Sequence, residues 1–209
     1  MKIPFHRPIF PNKTIDEIQS VLASGWVTTG NCTHLFEEEL SEYLSAKNVI
    51  VLNSCTSALH LGAIGSGLSS KDKFIVPTYT FAATIEVGEY IGADPLLVDI
   101  DPETHNLDLN KVEYLLKKFG SKIKLIIPVH FAGNPVNTVE LRKISKFYGC
   151  FLLEDAAHGL ESVYNDKKIG NTEDAAAFSF YANKNITTGG EGGAIATNDD
   201  SLAKKIRKL

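Results

Sequence analysis

The fold of this chain is clearest from Leu152-Leu153-Glu154-Asp155-Ala156-Ala157-His158-Gly159. An apolar run that starts at Cys150 ends in two acids and then in small residues, as a buried strand does where it passes into a polar turn. Adjacent strand residues point to opposite faces, so Glu154 and Asp155 are expected on different sides of a sheet. Asp155 could hold a protonated ring nitrogen, but the motif by itself favours an ordinary helix-capping aspartate.

Similar apolar segments recur on both sides of this stretch and alternate with amphipathic ones. This alternation predicts an α/β fold, a mainly parallel sheet with helices on both faces. The predicted strands are Asn48–Leu52, Phe74–Pro77, Pro95–Asp99, Lys124–Val129, Cys150–Glu154, Ala175–Phe178 and Gly193–Thr197. The predicted helices are Thr14–Ala23, His34–Leu44, Thr56–Ile64, Leu109–Phe119 and Val139–Tyr148, and a further helix is expected to begin around Asp199–Ser201.

Composition excludes several classes of protein. The 209 residues are 44% hydrophobic and carry a net charge of −4, which argues against a nucleic-acid binder that relies on a basic face. Three widely spaced cysteines suggest neither a disulfide framework nor a metal site. No signal-peptide core is present, and no apolar run reaches the roughly 18–20 residues of a membrane span. We therefore expect a cytoplasmic protein.

Two more polar segments follow predicted strands. Asn53–His60 opens a helix with small and hydroxylic residues, which predicts either an anion site at the helix N-terminus or an ordinary capped helix. Phe178–Gly193 places Lys184 between a strand and a glycine-rich loop, where an ordinary surface lysine is the alternative. The second segment lacks the spacing of a nucleotide-binding P-loop. In open α/β sheets, ligands bind at the carboxyl ends of strands, where these segments lie.

Taken in order, five segments of the chain resemble the DegT/DnrJ/EryC1/StrS family of sugar aminotransferases. The resemblance covers nearly the whole chain. It implies the large domain of pyridoxal-phosphate (PLP) aminotransferase fold type I, with a mostly parallel seven-stranded sheet and helices on both faces. The segments are Ser24–Gly30, Pro77–Thr84, Pro128–Gly133, Glu154–His158 and Ser179–Gly193.

The resemblance implies catalytic roles for three residues. Lys184 matches the lysine that forms a Schiff base with PLP and then moves a proton between substrate and cofactor. Asp155 matches the acid beside the pyridine nitrogen, where a carboxylate favours the protonated ring that acts as an electron sink. His158 matches a position beside the ring and its phenolic oxygen.

Further cofactor contacts are implied in the same way. Phe81 matches the aromatic residue that stacks on the ring of PLP. Thr56 and Ser57 match the turn that holds the phosphate, largely through backbone N–H groups, and Ser179 matches a hydroxyl that also reaches the phosphate. His130 follows a strand as well, but we expect it to have a structural or supporting role.

Substrate-binding residues and the reaction type also come from the resemblance. Thr28, Thr29 and Gly30 lie in the loop expected near the sugar. A related branch, the sugar dehydrases, carries His where this chain has Lys184, so transamination is favoured over deoxygenation. The segment Asn185–Gly193 is similar to the signature of enzymes that aminate sugar C4, with one additional glycine. A 4-keto-6-deoxy nucleotide sugar is therefore the expected acceptor.

The family also implies partners and a domain organisation. Glutamate is the expected amino donor, and a homodimer with the active site at its interface is the expected assembly. Residues 1–209 are expected to comprise an N-terminal arm and an incomplete PLP-binding large domain, without the small C-terminal domain of the family. The product is expected to enter a surface polysaccharide or other glycan. The alternatives are a PLP-dependent sugar dehydrase and a truncated, non-catalytic PLP-binding relic.

Overall fold

Helices and strands alternate along the chain, as the sequence predicts. A computed structural model describes residues 2–209. Within that range the α-helices are α1 Asn12–Ser24, α2 Asn31–Leu44, α3 Cys55–Gly65, α4 Ala83–Glu89, α5 Leu109–Phe119, α6 Thr138–Tyr148 and α7 Asp200–Ile206. The strands are β1 Asn48–Leu52, β2 Lys73–Pro77, β3 Asp94–Val98, β4 Ile123–Ile126, β5 Phe151–Asp155, β6 Val163–Tyr164, β7 Lys167–Lys168, β8 Ala175–Ser179 and β9 Gly193–Thr197.

Seven of these strands form one sheet in the order β1-β9-β8-β5-β4-β2-β3. β9 runs antiparallel to both of its neighbours, whereas the pairs from β8 to β3 are parallel. The two short strands β6 and β7 form a separate antiparallel hairpin. The predicted mostly parallel seven-stranded sheet is therefore confirmed.

Helices cover both faces of the sheet, also as predicted. α3, α4 and α7 pack on one face, and α2, α5 and α6 pack on the other. β2 shows the alternation that this requires: Phe74 and Val76 are buried on the α3 side, and Ile75 is buried on the α5 side. Full burial of each such side chain contributes about 2 kcal/mol to stability.

Most boundaries agree with the sequence prediction to within a few residues, and two differences have a physical cause. The strand predicted over Lys124–Val129 ends at Ile126, because Pro128 lacks the N–H that a continuing ladder needs. Helix α4 was not predicted. It has seven residues, begins after Ala82 without a side-chain cap, and contains Gly88, so it carries few helix signals.

Helix α1 confirms the predicted N-terminal helix but buries none of its residues. Its apolar side chains Ile15, Ile18 and Leu22 are all exposed and are spaced as on one helical face. In residues 2–209, no helix combines the length and apolarity needed to cross a bilayer.

The start of β9 lies against the start of α3, and this contact brings two predicted functional segments together. A Cβ atom on Gly193 would overlap the backbone of Ser54 and Cys55. Backbone atoms cannot turn aside as a flexible side chain can. A side chain at position 193 would therefore force β9 and α3 apart.

We expect Gly193→Ala to lower the free energy of unfolding by about 3 kcal/mol, the scale of a severe overpacking change. Urea unfolding followed by circular dichroism measures the loss. Gly190→Ala is the matched control, because a Cβ there meets no atom within 4 Å, and we expect it to stay within about 0.5 kcal/mol of the wild type. Equal effects of the two substitutions would contradict the proposed close approach.

Candidate functional site

A cavity of about 660 Å³ opens at the carboxyl edge of the sheet. Its walls come from the segments that follow β1, β2, β4, β5 and β8, together with the residues that precede the antiparallel β9. This is the edge at which ligands bind in open α/β sheets. The lining includes six residues predicted from the sequence: Thr56, Phe81, Asp155, His158, Ser179 and Lys184.

Asp155 is the last residue of β5 and has only 5% of its surface exposed. The Thr84 hydroxyl donates to Asp155 Oδ2 at 2.7 Å, and the backbone N–H of Ala157 donates to Oδ1 at 3.1 Å. Two donors thus fix the plane of the carboxylate. A carboxylate has about four lone-pair positions, so Asp155 can still accept a hydrogen bond from a ligand in the cavity.

Lys184 lies in the segment that joins β8 to β9. Its backbone N–H donates to the carbonyl of Tyr181 at 2.9 Å, which closes a turn beside the cavity. The loop is held by a 2.8 Å bond from Phe180 N to Gly192 O and by the Thr188 hydroxyl, which donates to Glu191 O at 2.8 Å. The loop therefore presents a primary amine to the cavity from a hydrogen-bonded frame.

The titratable groups of the cavity influence one another. Partial burial, together with the charge of Lys184, lowers the pKa of His158. This histidine is therefore neutral near pH 7 and can donate or accept a hydrogen bond. Burial, reinforced by the charge of Asp155, raises the pKa of Cys55, so its thiol stays protonated and is a weak nucleophile.

The beginning of α3 forms one wall of the cavity. Ser54 caps the helix by accepting from the N–H of Ser57 at 3.1 Å. The N–H groups in the first turn of a helix have no acceptor within the helix. Together with the helix dipole, they attract anions. Thr56 lines the cavity. Ser57 does not line it, and its hydroxyl instead donates to Asn53 Oδ1 at 2.6 Å. A phosphate contact by the Ser57 side chain stays a prediction.

Phe81 lines the cavity with 79% of its surface exposed, so a face of its ring is free to meet a flat ligand. Thr28, Thr29 and Gly30 lie outside the cavity, in the turn that leads into α2. The indole N–H of Trp26 donates to the carbonyl of Thr29 at 3.1 Å and holds that turn. The role of the turn in substrate binding stays a prediction.

Glu154 lies on the opposite face of β5 from Asp155, as strand geometry predicts. Its carboxylate is 3.1 Å from His130 Nε2 and accepts from Arg142 at 3.1 Å. His130 is fully buried, and its Nδ1 accepts from Val136 N at 3.1 Å. Because Nδ1 accepts this bond, a ring proton lies on Nε2 and points to Glu154. His130 does not line the cavity, and its structural or supporting role stays a prediction.

Several cavity residues were not singled out from the sequence. Tyr79 and Thr80 come from the segment between β2 and α4, Thr84 comes from the first turn of α4, and Phe131 follows β4. Tyr79 and Phe131 pack with ring centroids 4.5 Å apart at the cavity wall. The segment 77–84 carried a family resemblance, but nothing in its pattern shows that Thr84 reaches Asp155, 71 residues later.

Comparison with known proteins extends these observations. The family model described as the DegT/DnrJ/EryC1/StrS aminotransferase family matches residues 9–209. The spore coat polysaccharide biosynthesis protein SpsC of Bacillus subtilis is 38% identical over 207 residues, which are 99% of this chain and 52% of SpsC. This chain spans about half the length of the curated relatives it matches, 53% and 52% for the first two.

Solved structures agree with the family match. S. venezuelae DesV, in complex with a ketimine intermediate, has a TM-score of 0.90 and 33% identity, with 95% of this chain and 53% of DesV covered. Bacillus subtilis NtdA, with bound cofactor PMP, has a TM-score of 0.85 and 30% identity, with 98% of this chain and 48% of NtdA covered. These likenesses confirm the predicted fold type I architecture. From its sequence and its structure alike, this chain belongs to the DegT/DnrJ/EryC1/StrS aminotransferase family.

Proposed function

We propose that this chain supplies the cofactor-binding part of a PLP-dependent aminotransferase that transfers an amino group to a nucleotide-linked keto-sugar. One observation carries the proposal. A single cavity gathers the primary amine of Lys184, the buried carboxylate of Asp155, the neutral imidazole of His158 and the N-terminus of α3. This combination of groups is chemically suited to PLP.

The residues fit the cofactor part by part. Lys184 can hold its aldehyde covalently, and Asp155 can accept from its ring N–H. The start of α3, with the Ser179 hydroxyl, suits a phosphate. Phe81 offers a ring face for stacking. When bound, PLP supplies an electron sink for the carbon that loses a proton.

The side chains of the cavity perform distinct tasks in this proposal. Released from the cofactor, the Lys184 amine can move a proton between two carbon atoms within its reach. The Asp155 carboxylate, fixed by Thr84 and Ala157, keeps a negative charge beside the protonated ring nitrogen. His158 is neutral, so it can hydrogen-bond an oxygen beside the ring without adding a second cation next to Lys184.

A sugar acceptor is supported by the relatives. SpsC is named for polysaccharide biosynthesis, and we extend that role to this chain as surface polysaccharide or glycan synthesis. Glutamate as donor, and a 4-keto-6-deoxy acceptor aminated at C4, rest on the resemblance of Asn185–Gly193 to the C4 signature. Thr28, Thr29 and Gly30 remain the proposed contacts to the sugar. A cytoplasmic location is supported by the three unpaired cysteines, which suit a reducing compartment.

A homodimer is part of the proposal. α1 buries none of its own residues, and its side chains Ile15, Ile18 and Leu22 are all at least half exposed, as is Trp26 just beyond its end. A row of exposed apolar side chains on one helix is typical of a surface that another element covers. In a dimer with the active site at its interface, the second subunit would complete the substrate side of the cavity.

Reductive trapping tests the proposed cofactor. We expect the chain to bind PLP, and borohydride reduction should leave a stable phosphopyridoxyl group on Lys184, located by peptide mass spectrometry. Glutamate added before the reductant should convert the bound cofactor to pyridoxamine phosphate and prevent the trapping. Absence of any trapped adduct on Lys184 would overturn the proposal.

Substrate specificity is tested with the glutamate-treated protein. Incubation with nucleotide-linked 4-keto-6-deoxy and 3-keto sugars should give an aminated product from the 4-keto sugar, detected by mass spectrometry. A deoxygenated product without nitrogen would show a dehydrase instead. Cofactor binding without conversion of any sugar would indicate the non-catalytic relic.

A further inference from the structure

We propose that Thr84, supported by Thr80, is a positioning residue that orients the Asp155 carboxylate toward the ring nitrogen of the cofactor; this rests on the proposed function. The Thr84 hydroxyl donates to Asp155 Oδ2 at 2.7 Å. Thr80 Oγ1 lies 2.7 Å from Thr84 Oγ1. The three groups form a continuous chain of hydrogen bonds at the wall of the cavity.

The direction of this chain follows from its end point. An ionised carboxylate can only accept, so the single hydroxyl proton of Thr84 is directed to Asp155. Thr84 Oγ1 is then left as an acceptor, and Thr80 must be the donor to it. Hydrogen bonds in such a chain polarise one another and strengthen the last one. Thr80 therefore strengthens the hydrogen bond that Thr84 donates to Asp155 Oδ2.

Packing holds Thr84 in place. Its side chain is fully buried, in the first turn of α4. A Cβ on Gly88 would overlap the ring of Phe74, so α4 lies directly on β2. The hydroxyl of Thr84 thus reaches Asp155 from a helix that is packed on the sheet, as suits a group that sets another group's orientation.

The second donor to Asp155 makes the arrangement directional. Ala157 N–H donates to Oδ1 from the turn after β5, while Thr84 donates to Oδ2 from α4. With one donor on each oxygen, rotation of the carboxylate breaks at least one bond. Loss of the Thr84 hydroxyl would remove the donor to Oδ2 and leave the orientation of the carboxylate to the Ala157 N–H alone. The bond to a ring nitrogen would weaken, whereas contacts to phosphate and aldehyde would not change.

The test compares two ligands on matched variants. Dissociation constants are measured by calorimetry for PLP and for its 1-deaza analogue, in which a C–H group replaces the ring nitrogen. We expect the wild type to prefer PLP, and Thr84→Val to weaken PLP binding about tenfold while changing binding of the deaza analogue less than twofold. Thr84→Ser keeps the hydroxyl and should restore the wild-type preference.

A purely structural role for Thr84 would weaken both ligands equally in Thr84→Val, and that result would overturn the inference. So would an unchanged preference for PLP. Thr80→Val tests the relay if Thr84→Val does not fold, and we expect a threefold loss for PLP alone; equal loss for both ligands would again contradict the relay. If the wild type binds neither ligand, the proposed function fails rather than the role of Thr84.

Discussion

Replacing Lys184 by alanine is expected to abolish covalent attachment of PLP and to lower the rate of amino transfer by at least about 10³-fold. Alanine has no amine to bond to the aldehyde and none to move a proton. Trapping with borohydride and peptide mass spectrometry measures the attachment, and the rate of pyridoxamine phosphate formation from glutamate measures the transfer.

The fold should survive this change. Lys184 is only partly buried, and its loop is held by backbone bonds and by the Thr188 hydroxyl, which the substitution leaves intact. We expect the free energy of unfolding to stay within about 0.5 kcal/mol of the wild type. Lys143→Ala is the matched control, because Lys143 is an exposed lysine in α6 that pairs with Glu140 on the surface. An adduct that persists in Lys184→Ala would mean that another lysine holds the cofactor.

The candidate site could be predicted from the sequence because five segments, in order, resemble one family, whereas Asp155 and Lys184 taken alone left a capping aspartate and a surface lysine as alternatives. Asp155 closes an apolar strand, and Lys184 precedes a run of glycines. Parallel strands deliver such residues to one edge of a sheet, so the shared cavity follows from the fold class. Strand alternation also correctly placed Glu154 and Asp155 on opposite faces of the sheet: Asp155 lines the cavity, and Glu154 meets the buried His130 on the other side.

The supporting residues could not be found in this way, because their partners are distant in sequence. Thr84 and Asp155 are 71 positions apart, and nothing in the pattern of either segment announces the other. α4 carries few helix signals, yet the absence of a Cβ at Gly88 lets it approach Phe74 and brings Thr84 to the cavity. Such contacts depend on packing distances that local propensity does not encode.

Ser57 is a residue that the family pattern places at the phosphate turn but whose hydroxyl has another partner in the structure. The family pattern groups it with Thr56 at the phosphate turn, but in the structure the two hydroxyls have different surroundings. Thr56 lines the cavity, whereas the Ser57 hydroxyl is engaged by Asn53. Backbone N–H groups at the start of α3 remain available to a phosphate, while the Ser57 side chain stabilises the turn before the helix.

Replacing Asp155 by asparagine is expected to slow amino transfer by about 10²–10³-fold while leaving the covalent attachment at Lys184 in place. Asparagine keeps the shape of the side chain and one oxygen for the Thr84 hydroxyl or the Ala157 N–H, so the cavity should keep its form. What is lost is the negative charge that favours a protonated ring nitrogen. Single-turnover conversion by glutamate, followed by the change in visible absorbance, measures the rate.

Glu154→Gln provides a control of the same size, in the same strand and one residue away. It removes a carboxylate charge on the far face of the sheet, where Glu154 meets His130 and Arg142. We expect it to lower the free energy of unfolding, because it removes the buried charge that Arg142 pairs with, and to leave the single-turnover rate within about twofold of the wild type. Loss of rate in both variants would mean that a general disturbance of β5, rather than loss of the Asp155 charge, slows the reaction. Loss in Asp155→Asn alone would assign the effect to the carboxylate that faces the cavity.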